Sequence, residues 1–299
     1  MATQVLFNPL AETSARTTFR RIIVAHDFSL AADRALDDAM ALARQFHSEI
    51  VIVHIETIDT VSEHLQTRDV QQQATRIKLD EITRRVALAG HTCTEILRTG
   101  SASSTLIDLG YERAGDLLMV GAFGNSSAAR DQNCIKLGST AEAVLRSTPC
   151  PVLIYGPDVH TPLLQRDEPF SILLALDLPC STNSLAFALT AARLFGAHIE
   201  VLHVENPDQT ASLPHAAQDR QYLFDEVLAS MRRAHADVSG SLVFGDPPEA
   251  ILARARMLAS SIILMPLEAR GQLTSPRSDN VAAAVIRSAE VPVMTYRVA

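Results

Sequence analysis

Short apolar runs alternate along the chain with longer stretches whose apolar residues recur at helical spacing. Arg20 to His26 (Arg-Arg-Ile-Ile-Val-Ala-His) is short and β-branched, which predicts a buried strand ending at Asp27. Ser29 then caps a predicted helix whose apolar positions are Leu30, Ala35, Ala39, Leu42, Ala43 and Phe46. Glu49 to Ile55 reads as a second strand, and Ser62 to Ala89 as a long, polar surface helix. Thr92 to Arg98 is a weaker third strand placed near an edge. Gly100-Ser101 turns into a helix over Ala102–Arg113, and Asp116–Val120 is the fourth strand. Cys150 to Tyr155 is the fifth, with Pro151 best tolerated at an edge or before ladder pairing begins.

The second half repeats this order. Ser171 to Asp177 answers Arg21 to Asp27, and Val201-Leu-His-Val-Glu205 answers Ile52-Val-His-Ile-Glu56. Phe244-Gly-Asp246 answers Thr99-Gly-Ser101, and Ile262 to Pro266 answers Leu117 to Gly121. Val285 to Val293 answers Val144 to Val152. Matches in one order over this length mean a duplicated domain. The expected units are 19–156 and 170–298, joined by a linker, 157–169, that contains prolines. Alternating strands and helices predict, in each, a doubly wound five-stranded parallel sheet of Rossmann-like α/β type. Ligands of such sheets sit beyond the carboxyl ends of the strands, where strand order reverses. Asp27 and Gly121 end strands one and four, so both belong on that rim.

The chemistry concentrates after the fourth strand. Met119-Val-Gly-Ala-Phe-Gly124 is followed by a polar loop, Asn125 to Lys136, and then by Gly138-Ser139-Thr140 opening an apolar helix. Glycines let backbone N–H groups approach a phosphate without a Cβ in the way. A helix N-terminus adds free amides and the positive end of its dipole, and Ser139 and Thr140 add hydroxyls. The alternative is a glycine turn followed by an ordinary helix start.

The net charge of −8, with no basic block, argues against duplex nucleic acid or an anionic membrane as the main partner. No apolar run reaches the roughly 18–20 residues of a membrane span. Met1 to Thr18 lacks the order of a secretory signal and reads as a disordered lead, so a cytoplasmic setting is expected. Cys93, Cys134, Cys150 and Cys180 form no CxxC pair, and free thiols are expected. Cys134 stands apart because it lies in the glycine-flanked loop. His26, His54 and His203 sit at strand ends, where packed, hydrogen-bonded histidines are commoner than catalytic ones. No metal-ligand spacing is present.

These motifs resemble the universal stress protein family in its tandem form, over about Phe19 to Arg297. The pieces that carry the resemblance are Val-Ala-His-Asp27, Val-His-Ile-Glu56, Val-Gly-Ala-Phe-Gly124, Leu-Gly-Ser-Thr-Ala-Glu-Ala-Val144 and Cys-Pro-Val-Leu153. The resemblance implies an adenine nucleotide alpha hydrolase-like fold and ATP as ligand, bound in the first half. Asp27 would bond the ribose or adenine side, next to Ala25, and Ile55 would frame the adenine through its backbone. Gly121, Phe123 and Gly124 would line the turn, and Gly138, Ser139 and Thr140 would hold phosphates. Mg²⁺ would be held mainly by those phosphates, with Ser139 or Asp131 nearby. Arg130 reads as a solvated loop charge, with folding over a phosphate as the alternative.

The family's pattern is Gly-x2-Gly-x9-Gly-Ser/Thr, whereas thirteen residues separate Gly124 from Gly138 here, four more than the pattern. Ala25 stands where nucleotide binders often have proline. In the second half Pro266, Ala269 and Asp279 keep the spacing but replace all three glycines, and Asn280 and Val281 replace Ser139 and Thr140. Proline lacks an N–H and Asp279 adds negative charge, so this half reads as a degenerate site. Asp177 survives there as a nucleotide contact or as a strand-end acid before Ser181. The fifth strands are sheet edges, which in the family pair antiparallel to make a dimer. The two halves are therefore expected to pack as a pseudo-dimer, with a homodimer of whole chains also open. The resulting expectation is a stress-response protein that binds adenine nucleotide and acts by regulation or protein interaction. The residues leave open a nucleotide-free dimerising scaffold and a slow ATPase.

Overall fold

In the computed structural model the described residues are 19–57, 65–112, 117–124, 137–164, 169–206, 216–235, 237–268 and 276–298. Among them ten strands alternate with eight helices. The first half holds β1 (Arg21–Ala25), α1 (Leu30–Phe46), β2 (Glu49–Glu56), α2 (Leu65–Leu88) and β3 (Cys93–Thr99). It continues with α3 (Ala102–Glu112), β4 (Leu117–Gly121), α4 (Ser139–Ser147) and β5 (Val152–Tyr155). The second half holds β6 (Ser171–Ala175), α5 (Thr182–Phe195), β7 (His198–Glu205), α6 (Ala216–Ala234) and β8 (Val238–Phe244). It ends with α7 (Pro247–Met257), β9 (Ile262–Glu268), α8 (Pro276–Ser288) and β10 (Val293–Val298).

All strands form one sheet in the order β3-β2-β1-β4-β5-β10-β9-β6-β7-β8. Neighbours are parallel except at the centre, where β5 and β10 run antiparallel with Leu153 opposite Met294. The two halves are therefore joined strand to strand as a pseudo-dimer. The fifth strands are edges of their own halves only. In the whole sheet they are interior, so Pro151 does not mark an edge. It precedes the first paired residue of β5, and its carbonyl accepts the N–H of Leu118 at 3.0 Å. The outer edges are β3, as its polar sequence suggested, and β8.

Side chains alternate across the sheet and feed two cores, one on each face, that both run through both halves. Ile22, Val24, Ile50 and Ile52 face α1 and α2, whereas Ile23, Val51 and Val53 face α3 and α4. An aromatic contact ties the halves, Phe46 meeting Phe195 edge-on at 5.3 Å, and within the second half Phe195 stacks on Phe170 at 4.4 Å. Gly156 lies so close to α8 that a Cβ there would stand 2.3 Å from the carbonyl oxygen of Ile286. Buried Asp38 of α1 receives hydrogen bonds from the Tyr155 hydroxyl and the Leu163 N–H, both at 2.8 Å, and so fastens the chain as it leaves β5.

Several sequence-based features fall outside the described residues. They are Met1 to Thr18, Arg113, Asp116, the loop Asn125 to Lys136 with Arg130, Asp131 and Cys134, and Ala269. The second helix is described from Leu65 and the third to Glu112.

Candidate functional site

Strand order reverses between β1 and β4, which opens a cleft at their carboxyl ends. β1 stops at Ala25 because the chain turns there into α1. Ser29 is the N-cap of that helix, and its hydroxyl accepts the N–H of Ala32 at 3.2 Å. Between strand and cap, Asp27 Oδ1 accepts the N–H of Ser29 at 3.1 Å. Phe28 takes the left-handed conformation with φ +63°, which costs a side-chain-bearing residue on the order of 1–2 kcal/mol. That cost falls on the residue beside the cleft acid.

β4 ends at Gly121, and the turn that follows is tied to the start of α4. The N–H of Gly138 donates to the carbonyl of Ala122 at 2.9 Å. A Cβ on Gly138 would meet that oxygen at 3.0 Å and Phe123 Cα at 3.4 Å, so close backbone approach is what requires glycine here. A Cβ on Gly121 would lie 3.3 Å from Phe123 O and from Ala31 Cβ. Gly124 is less constrained, and its nearest neighbour in that direction is Asp27 Oδ2, at 3.5 Å from an added Cβ. Asp27, Gly121, Phe123, Gly124 and Gly138 thus converge on one corner. Ser139 and Thr140 are the first two residues of α4, with Gly138 at the N-cap position offering no side chain to its amides.

Ala25 and Ile55 reach the same corner from the strands. Both pack, with Phe123, against the core on the α3 and α4 face. The last β1–β2 pair is Ala25 with Val53, so Ile55 lies two residues beyond it. Because Gly100 takes the carbonyl of Glu56 toward β3 at 2.9 Å, alternation turns the peptide groups of Ile55 toward β1, past its end. Of the nine residues singled out by sequence, Asp27, Gly121, Phe123, Gly124 and Gly138 meet at one corner, Ser139 and Thr140 open the helix that starts there, and Ala25 and Ile55 stand at the carboxyl ends of β1 and β2. Among the described residues no group of three His, Cys, Asp or Glu is arranged to hold a metal.

The second half builds the equivalent place differently. β9 does not stop where β4 does but runs through Pro266 to Glu268, paired with β10 as far as Val298. Where the first half turns, the second continues its strand. α8 begins at Pro276, so Asp279 and Asn280 lie inside a helix instead of at its start. Asp177 accepts the N–H of Leu178 at 2.9 Å, and Ser181 caps α5. At the end of β7, buried Glu205 lies 3.3 Å from His203 Nε2 and 2.8 Å from Arg220 Nη1.

One cluster escaped sequence reasoning. His26 is 2% exposed. Its Nδ1 accepts the N–H of Phe28 at 3.2 Å, and its Nε2 lies 3.3 Å from Asp33 Oδ1. Its own carbonyl accepts from His54 Nδ1 at 2.6 Å. The Phe28 ring packs on both imidazoles, with centroids 5.5 and 4.5 Å away, and Lys78 Nζ sits 5.0 Å above it. Burial pushes the His26 pKa below its ordinary 6.5, against the pull of Asp33 and Asp27 and with the help of His54. The adjacency of His26 and Asp27 was visible in the chain, but the inward turn of Phe28 was not.

The universal stress protein family model matches residues 18–156 and again 170–297. The fold is similar to that of a universal stress protein from Archaeoglobus fulgidus DSM 4304, at 19% identity and TM-score 0.70, over 93% of this chain and 98% of that one. It is also similar to a protein of unknown function from Pseudomonas aeruginosa PAO1, at 17% identity and TM-score 0.59, over 95% and 94%. Functionally curated proteins provide no match. No helix among the described residues is long and apolar enough to cross a membrane. With its model matched twice, over most of the sequence, the chain belongs to the universal stress protein family.

Proposed function

We propose that the first half, residues 19–156, binds ATP with Mg²⁺ in the cleft between β1 and β4. The second half, 170–298 beyond the linker 157–169, is a partner without that site. The observation that carries this reading is the packing of Gly138 against the Ala122–Gly124 turn, which sets the N-terminus of α4 beside the Asp27 carboxylate. Such a corner offers unencumbered amides, two hydroxyls and a helix dipole to phosphates. The carboxylate is left to accept from ribose hydroxyls or an amino group. Ala25, Ile55 and Phe123 provide an apolar wall for a base. Ser139 and Thr140 hold phosphates, which in turn carry the metal.

The protein then works as a nucleotide-dependent stress-response factor that acts through partner proteins. Bound ATP stabilises the folded chain by mass action and changes the surface around the glycine turn. A cytoplasmic setting fits Cys93, Cys150 and Cys180, which are not in disulfides.

Calorimetric titration of the whole chain with ATP and Mg²⁺ tests the reading, with Gly138→Asp alongside. Saturable binding that the variant abolishes is the expected result. No heat from either protein at millimolar ATP, or equal binding by both, rejects it.

A further inference from the structure

We infer that the neutral imidazole of His26 is a latch holding Asp27 in its ligand-facing position, so that acid weakens ligand binding in the first half. The inference rests on the nucleotide reading for its ligand and on the turn itself for its mechanism.

The backbone of His26 is fixed at both ends. Its N–H donates to Val53 O at 2.8 Å, and its carbonyl accepts from His54 Nδ1. The ring is fixed by the next residue, because Nδ1 accepts the N–H of Phe28. An accepting Nδ1 places the single proton of the neutral ring on Nε2, toward Asp33. The following amide, that of Ser29, goes to Asp27 Oδ1. Two consecutive side chains thus hold two consecutive amides, and the left-handed Phe28 lies between them.

A second proton on the imidazole enters at Nδ1. It replaces an acceptor with a donor directly against the Phe28 N–H, so that hydrogen bond is lost. The left-handed turn then loses its side-chain support at the Phe28 amide, and Asp27, bonded within the same turn, loses its fixed orientation toward Gly124. The charged and titratable groups around the ring are Asp27 in the turn, Asp33 on α1, His54 on β2 and, across the Phe28 ring, Lys78 on α2. Asp33 is half exposed and lies on the Nε2 side, so it does not replace the lost bond at Nδ1.

The second half provides the comparison. Leu176 takes the place of His26 and makes the same backbone bonds, its N–H to Leu202 O and its carbonyl from His203 Nδ1, both 3.0 Å. It has no side-chain acceptor, and Asp177 bonds the very next amide directly. The titratable latch belongs to the first half alone.

His26→Asn keeps an uncharged carbonyl acceptor near the Nδ1 position and does not titrate. The affinity for ATP with Mg²⁺ is measured for both proteins at about pH 7.5 and about pH 5.5, either side of the ordinary histidine range. ATP's own phosphates titrate in this window, so the readout is the difference between the two proteins. Hydrogen-exchange protection of the Phe28 amide is followed over the same range without ligand. Similar affinities are expected at the higher pH. On acidification the wild type loses more affinity than His26→Asn, by up to about tenfold per pH unit below the titration of the ring. Protection at Phe28 falls in the wild type only.

Parallel affinity curves, or wild-type Phe28 protection that ignores pH, overturn the latch. If ATP binds neither protein at the higher pH, the nucleotide reading fails by itself, and Phe28 protection still decides the latch. If His26→Asn does not fold, the pH dependence of Phe28 protection in the wild type decides it.

Discussion

Replacing Gly156 with alanine tests the joint between the halves. The new Cβ would stand 2.3 Å from Ile286 O, 3.5 Å from Ile286 C and 3.6 Å from Ala289 O. The first contact is about 1 Å short of ordinary van der Waals separation. Both neighbouring residues belong to α8 and its exit, and Ile286 is fully buried. A flexible side chain would swing away, but a helix carbonyl moves only with its helix. The cost should therefore reach the top of the overpacking range, about 3 kcal/mol. With a urea m-value of about 3 kcal/mol/M, the midpoint falls by about 1 M. Far-UV circular dichroism is the suitable probe, because the chain has no tryptophan. Gly124→Ala is the control, since its Cβ makes an ordinary 3.5 Å contact, and about 0.5 kcal/mol or less is expected for it. A Gly156→Ala midpoint equal to that of the control would refute the packing of β5 and its exit against α8.

Other predictions concern buried charge and the cleft acid. Glu200 on β7 is buried and receives hydrogen bonds from Ser239, Ser241 and Arg254. Burial alone would push its pKa up, but those bonds and the guanidinium charge outweigh burial and hold it below the ordinary 4.5. Its stabilising contribution is thus complete above that value and lost as the pH falls through the lower folded one, which acid titration of stability will show. Arg254→Met leaves this carboxylate with only its serine partners and should cost about 3 kcal/mol in urea unfolding at neutral pH. Tyr155→Phe removes one buried donor from Asp38 and should cost about 1.5–3 kcal/mol by the same assay. Asp27→Asn keeps an acceptor for Ser29 but removes the charge, so calorimetry should show ATP binding about tenfold weaker, equivalent to about 1.4 kcal/mol.

The strands were legible because a buried parallel strand leaves a short β-branched run, and because each run has a counterpart in the other half. Gly138 was legible as a position of close backbone approach, although what stands close to it in the structure is the backbone of Ala122 and Phe123. What the sequence could not show is how far each strand runs. β4 and β9 align residue for residue up to Gly121 and Pro266, yet β9 continues to Glu268 because β10 extends alongside it. Of the two places open to Pro151, an edge or the residues before ladder pairing, the structure has the second, and β5 pairs antiparallel with β10 as the repeat led one to expect. The His26–Phe28 contact was equally hidden, since it depends on one left-handed residue that no glycine or asparagine announces.

The central claim is that one chain holds one nucleotide-binding half and one closed half. A crystal structure of the protein grown with ATP and Mg²⁺ tests it most directly. One nucleotide per chain is expected, with its phosphates at Gly138, Ser139 and Thr140, its sugar or base beside Asp27, and nothing at Asp177 and Pro266. A nucleotide in the second half, or bound away from the β1–β4 cleft, would contradict it.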